Sequence, residues 1–211
     1  MIVHGNIQQG SREWRELRAG IPTASEFAVL MTAEARKGKL TKGAASYMHK
    51  LLGEWMLDDW IEDGASGGFV GRGKEMEEEA KAHYEFTRDT YIEPIGFVTT
   101  DDERIGCSPD GFIGVDGLIE VKCYSLQNHI GALLQADSEH QAQVQGGLWI
   151  TERVWCDRLY YNPLLPPVTV RFERDDDYIA DLQNAVLIFL GHLEAAKARL
   201  IEMGCCAKGK P

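Results

Sequence analysis

Three charged side chains, Asp110, Glu120 and Lys122, stand among apolar neighbours in the run Cys107-Ser-Pro-Asp-Gly-Phe-Ile-Gly-Val-Asp-Gly-Leu-Ile-Glu-Val-Lys-Cys123. Two carboxylates and an ammonium are a donor set for hydrolysis at a hard divalent ion. Carboxylates hold Mg²⁺ and leave its other positions to water and phosphate, while a lysine orients or activates the attacking water. The plainer alternative is a solvated strand with a cross-strand ion pair, the usual meaning of a lone Glu-x-Lys. Context favours the site. Ser108-Pro109-Asp110-Gly111 is a turn-like interruption that re-aims a carboxylate, and Glu120 and Lys122 then sit in an otherwise apolar strand.

The elements that must position these groups follow from the alternation in Leu118-Ile-Glu-Val-Lys-Cys123. Residues two apart on a strand share a face, so Glu120 and Lys122 lie on one side and Ile119, Val121 and Cys123 on the other. Asp110 joins them in only one kind of register. A two-residue loop at Asp116-Gly117 pairs 113 with 120 and turns Asp110 away. A three-residue loop, Val115-Asp116-Gly117 with the glycine left-handed, pairs 112 with 120 and 110 with 122, and this register is expected.

Pro109-Asp110 followed by Glu120-Val121-Lys122 resembles the pattern of the PD-(D/E)XK nuclease superfamily. The resemblance extends to five ordered blocks over roughly residues 8–150: Gln9 to Ser25, Gly73-Lys-Glu-Met-Glu77, Cys107-Ser-Pro-Asp-Gly111, Glu120-Val-Lys-Cys123 and Ala142-Gln-Val-Gln145. Together they are similar to the motifs of the phage lambda exonuclease and YqaJ-type viral recombinase family. That resemblance implies a Mg²⁺-dependent exonuclease that degrades double-stranded DNA from 5′-phosphorylated ends toward the 3′ end, releasing mononucleotides. Asp110 would bridge two Mg²⁺ ions, with Mn²⁺ able to substitute. Glu120 and the Val121 carbonyl would complete one site, Glu77 would assist directly or through water, and Lys122 would act on the attacking water. Arg18, Ser25, Ser108 and Gln143 would hold the terminal 5′-phosphate, Arg36 would contact DNA, and Val70 would separate the last base pairs. The same resemblance implies a homotrimeric ring and a single-strand annealing protein as partner. An endonuclease or junction resolvase of the same superfamily, or a non-catalytic DNA-end-binding protein, are the other readings.

The bare residues carry some of these roles less far. Thr23-Ala-Ser-Glu26 reads as a capping box opening a helix, whose N-terminus is a natural anion site, but Thr23 and Ser25 as simple caps is the commoner outcome. Arg36 lies in the basic loop Ala35 to Lys42, a composition usually just solvated. Gln143 shares a face with Gly146 and Gly147, small residues that permit close approach of a ligand or another backbone.

Composition sets bounds. A chain of 211 residues with 44% hydrophobic content can bury one sizeable core, and a single domain is expected over 1–211, with C-terminal strands and a helix at 153–203. No run approaches the roughly 20 apolar residues of a membrane span, and no signal peptide is evident at the start, so a soluble, cytoplasmic location is expected. Five cysteines without a Cys-x-x-Cys pair argue against a zinc or iron-sulfur site. A net charge of −11 disfavours a protein that coats nucleic acid, but it suits an enzyme with an acidic exterior and a local basic lining.

The expected fold is α/β, a central mixed sheet flanked by helices. Helices are read at Ser11–Arg18, from Thr23, at about 44–60, 73–87, 138–151 and 176–203, with an irregular or helical stretch at 125–136. Strands are read at 92–100, in the hairpin, at 153–162 and at 168–174, and Gly64 to Gly68 is a glycine-rich connection.

Overall fold

Pro94 and Gly96 decide how the strands divide. The stretch 92–100, expected as one strand, is two: β2 (Ile92–Glu93) and β3 (Phe97–Thr99). Proline cannot donate to a ladder. At Gly96 the chain runs so close to Ile7 that an added Cβ would lie 1.9 Å from the Ile7 carbonyl oxygen.

The computed structural model describes residues 1–59, 70–134 and 141–205, with the backbone alone at 70–74. Strand β3 joins β1 (Ile2–His4) and β4 (Gly106–Cys107) in an antiparallel sheet of order β1-β3-β4. Strand β2 joins β5 (Gly111–Ile113), β6 (Gly117–Cys123), β7 (Trp155–Asn162) and β8 (Leu165–Glu173) in the order β2-β5-β6-β7-β8. Only β6 and β7 are parallel in that sheet, so it is mixed, as expected. β8 begins at Leu165, not at 168, and carries Pro166 and Pro167. It is an edge strand, where missing donors cost no ladder bond.

The helices are α1 (Arg12–Arg18), α2 (Lys42–Leu57), α3 (Val70–Arg88), α4 (Leu126–Leu134), α5 (Gln141–Thr151) and α6 (Asp176–Glu202). One sheet face, with Leu118 and Cys156, packs against α2, α5 and α6 through residues such as Tyr47, Leu148 and Val186. The other, with Ile119, Val121 and Leu159, packs against Ala80 and Tyr84 of α3. Ile179, Leu182, Val186, Phe189, Leu190 and Leu193 form the apolar stripe of α6, and all six are buried. The segment after Thr23 is a 3-10 helix, Ala24–Leu30, and the Thr23 side chain makes no capping bond. The capping box expected at 23–26 therefore does not form. The Thr23 hydroxyl is drawn toward Arg18 and Ser25. The glycine-rich connection at 64–68 and the first residues of the helix expected at 138–151 lie outside the described residues.

The hairpin that carries the charges keeps a three-residue loop, displaced by one residue from the expected position. Gly111 pairs with Ile119 and Ile113 with Gly117, so the loop is 114–116, and 112 faces 118 rather than 120. Gly114, at φ +54, supplies the left-handed residue. Gly117 stays extended because Trp155 covers it: an added Cβ would sit 2.2 Å from the indole. Arg153 closes the loop, donating through Nη1 to the carbonyls of Gly114 and Gly117 at 2.9 Å each. The displacement moves the pairing by two residues and so preserves the face of every side chain.

Candidate active site

Ser108-Pro109-Asp110 is where the chain leaves β4 of one sheet and enters β5 of the other. Three side chains brace this crossing. Gln9 Nε2 donates to the Pro109 carbonyl at 2.8 Å and to the Ile95 carbonyl at 3.0 Å. Ser108 Oγ accepts from Trp14 Nε1 at 3.0 Å and from Arg18 Nη1 at 3.1 Å. Gln9 and Trp14 lie in the first quoted motif, but their types suggested no role. The spacing of the motif from Ser108 hid the contact.

β6 continues to Cys123, past the first residue of β5, so among the described residues no strand pairs with its β5-side edge beyond Ile119. Asp110 fills that edge, with Oδ2 accepting the Val121 N–H at 2.6 Å. From there its carboxylate feels Glu120 on β6 and Glu77 on α3. Burial, then repulsion from Glu120 and Glu77, raises its pKa well above the usual carboxylate range. Glu120 Oε1 accepts from Lys122 Nζ at 2.7 Å and also from the Gln143 side-chain amide. Burial pulls the Lys122 ammonium down, but Glu120 and Asp110 outweigh it and hold its pKa above the usual lysine value. Glu77 is paired with Lys81, one turn on, at 2.6 Å.

Two openings border these carboxylates. A small pocket is lined by Arg18, Ser25, Ser108 and Gln143 together with Glu120 and Gly147. A broader cleft of about 900 Å³ has Asp110 and Glu77 on its wall, with Lys81, Gln9 and Arg15. The four residues expected to hold a terminal phosphate thus share one pocket, and that pocket shares Glu120 with the acid cluster. Arg18 is positioned by stacking 4.4 Å over the Trp14 ring, and burial lowers its pKa. Arg36 is not brought to either opening. Its guanidinium pairs with Asp181 of α6 at 2.6 Å on an exposed surface. Val70 opens α3, and its side chain is outside the description.

The acids suit a hard divalent cation, although among the described residues no three His, Cys, Asp or Glu side chains already converge on one point. Asp110, Glu120 and Glu77 are turned to Val121, to Lys122 with Gln143, and to Lys81. Asp110 is nevertheless raised by the other two acids. That mutual repulsion is what a bound cation relieves, and all-oxygen donors are the ligands Mg²⁺ takes.

The profile of the YqaJ-like viral recombinase domain matches residues 13–154, more than half of the chain. The chain belongs to that family. This YqaJ-like domain superposes on the alkaline exonuclease of Laribacter hongkongensis with a TM-score of 0.80 at 30% identity, over 91% of this chain and 97% of the other. A second structure of that enzyme, in complex with dAMP, matches equally. A phage-related exonuclease from Haemophilus somnus, 17% identical, has a TM-score of 0.63 over 85% of this chain and 96% of its own, and shows the fold alone. No curated protein matches the chain. The fold is PD-(D/E)XK-like, as the Pro-Asp and Glu-x-Lys pattern implied. Arg18, Ser25, Glu77, Ser108, Asp110, Glu120, Lys122 and Gln143 all fall inside the matched stretch of this YqaJ-like domain. Among the described residues no helix is long and apolar enough to cross a membrane.

Proposed function

We propose that this YqaJ-like domain is a Mg²⁺-dependent exonuclease that degrades duplex DNA from 5′-phosphorylated ends toward the 3′ end. One observation carries this reading: Arg18, Ser25, Ser108 and Gln143 line a single pocket whose wall includes Glu120. An anion held there lies beside the acid cluster, so the bond cut is the first phosphodiester inward from the terminal phosphate, and the end nucleotide leaves with that phosphate still attached. The exonuclease neighbours favour end-directed cleavage, and the dAMP bound by one of them is a nucleoside monophosphate, the class of product such cleavage releases.

In this mechanism Arg18 and the hydroxyls of Ser25 and Ser108 hold the terminal phosphate, and the Gln143 amide turns to it from Glu120. Asp110, Glu120, the Val121 carbonyl and Glu77, directly or through a water, hold two Mg²⁺ ions, with Mn²⁺ able to replace them. When bound, the ions polarise the phosphate and lower the pKa of a coordinated water. Lys122 orients the attacking water. With Glu120 beside it the ammonium remains charged at neutral pH, so it donates to Glu120 until that carboxylate is engaged by a metal ion, and then to the water oxygen. Arg36 contacts the DNA backbone once released from Asp181, and Val70 meets the terminal base pairs. A homotrimeric ring and a single-strand annealing partner in the cytoplasm complete the proposal.

The test uses linear duplex DNA with a 5′-phosphate on one end only, beside a closed circle of the same sequence, in Mg²⁺ and in chelator. Mononucleotide release from the phosphorylated end, with the circle intact and the chelated sample inert, is expected. Nicking of the circle would replace this reading with an endonuclease, and binding without cleavage in any metal with an end-binding protein.

A further inference from the structure

Arg158 of β7 is fully buried, and among the described residues its Nε, Nη1 and Nη2 have no hydrogen-bond partner. A guanidinium carries five N–H donors and cannot shed its charge, so an unbonded one in a core is costly and calls for a partner in some working state of the protein. Its side chain leans toward β8, with the guanidinium carbon 5.6 Å from the centre of the Phe172 ring.

The partner is indicated by register. β6 and β7 are parallel, and Glu120 is the direct cross-strand neighbour of Arg158. Paired residues of neighbouring strands lie about 4.8 Å apart and point to the same face. Arg158 therefore stands beside Glu120 and Lys122, close enough that its charge opposes that of Lys122. It also lies beyond the stretch matched by the family profile, which ends at 154.

Glu120 has its Oε1 occupied by Lys122 and Gln143, the two groups that the proposed function sends elsewhere, Lys122 to water and Gln143 to the terminal phosphate. Once both leave, a carboxylate required to hold a metal ion has lost the donors that fix its orientation. Carboxylates that ligate metals are themselves held by outer hydrogen bonds.

We propose that Arg158 is a positioning residue for Glu120: on substrate entry its guanidinium turns from Phe172 to the Glu120 carboxylate and replaces Lys122 and Gln143. Arg158 touches neither DNA nor the reacting atoms. It keeps Glu120 in place while Lys122 and Gln143 act. The inference rests on the reading of the site as a metal-dependent nuclease.

The test compares wild type, Arg158→Met and Arg158→Lys in the full chain, by Mg²⁺ titration calorimetry without DNA and by turnover on 5′-phosphorylated duplex. Arg158→Met is expected to melt at or above the wild-type temperature, since it replaces an unbonded buried charge with a flexible apolar side chain. Its Mg²⁺ half-saturation should rise, and its kcat fall, by about 10- to 100-fold, with KM for DNA ends little changed. Arg158→Lys should recover part of both losses. A merely structural role would instead lower the melting temperature and leave Mg²⁺ affinity intact. Arg158→Met within twofold of wild type in affinity and kcat overturns the proposal. If that variant does not fold, wild-type values in Arg158→Lys overturn it equally, because an ammonium lacks the fork that grips a carboxylate. A wild-type protein that binds Mg²⁺ but cuts no DNA would strike the nuclease reading, while the Mg²⁺ titration of Arg158→Met would still decide the role of Arg158.

Discussion

Gln143 and Lys122 donate to the same carboxylate oxygen of Glu120. The residue proposed to hold the terminal phosphate and the residue proposed to act on the attacking water are thus tied to one carboxylate. In the proposed function this contact would couple end recognition to chemistry. A phosphate that takes the Gln143 amide removes one of the two donors fixing Glu120.

Gln143→Ala should therefore erode the preference for phosphorylated ends. A hydrogen bond to a charged group contributes about 1.5–3 kcal/mol, so kcat/KM on 5′-phosphorylated duplex should fall by roughly ten- to a hundredfold. Activity on 5′-hydroxyl ends should change much less. Parallel digestion of the two substrates measures the ratio, and equal losses on both would remove Gln143 from phosphate recognition.

Asp110→Asn should abolish cleavage and yet stabilise the metal-free protein. Burial and the charges of Glu120 and Glu77 raise the Asp110 pKa. Stability contributed by its protonated form is therefore fully present below the ordinary value of 3.8 and is lost as the pH rises through the raised value in the fold. In chelator, the wild-type melting temperature should fall across that window, while the Asn variant shows a flatter profile. Mg²⁺ should raise the wild-type melting temperature more than that of Asp110→Asn, because binding to the folded state alone adds stability. Thermal melts against pH, with and without Mg²⁺, test both statements.

Tyr84 anchors the helix that carries Glu77. Its hydroxyl donates to buried Asp157 at 2.5 Å, and Arg171 grips the same carboxylate with two bonds of 2.7 and 2.8 Å. Burial and the neighbouring Asp157 carboxylate push the Tyr84 pKa above that of an ordinary tyrosine, so the hydroxyl stays protonated as the donor. Tyr84→Phe should cost about 1 kcal/mol, which lowers the melting temperature by about 2–4 °C for a chain of this length. Asp157→Ala should cost more, about 2–3 kcal/mol, since it strands Tyr84 and half-exposed Arg171 together. Melting curves of the two variants rank them, and the reverse order would refute the account.

Local pattern made much of the site legible. Alternation placed Glu120 and Lys122 on one face of β6, and the parity of the hairpin placed Asp110 with them even though the loop falls one residue earlier than expected. The loop position was hidden because Gly114 and Gly117 are equivalent on paper, and only the Trp155 ring above Gly117 distinguishes them. Capping at Thr23 failed for a similar reason. The hydroxyl that could cap is claimed by Arg18 and Ser25 across the phosphate pocket, a tertiary competitor that local pattern does not show. Arg158 gave no signal either, since an arginine in a strand reads as exposed until the register sets it in the core beside Glu120.

The small residue behind Gln143 also has a defined neighbour. Gly146 lies one turn along α5, and the group it admits is the 3-10 segment 24–30: an added Cβ would stand 2.6 Å from the Phe27 ring and 3.2 Å from Ala24. That contact sets how near α5 comes to Ser25 on the same segment, and hence how Gln143 sits in the pocket it lines together with Ser25. Gly146→Ala must push the two elements apart, at a cost of about 1–3 kcal/mol for overpacking, offset by the better helix propensity of alanine, which contributes up to about 1 kcal/mol. A lower melting temperature with a weakened preference for 5′-phosphate is expected. Gly147→Ala serves as the control, because its added Cβ meets only the Leu118 side chain at 3.4 Å, and its melting temperature should stay close to that of wild type. If the two variants prove equally stable and equally selective for phosphorylated ends, the spacing of α5 from the 24–30 segment does not control the pocket.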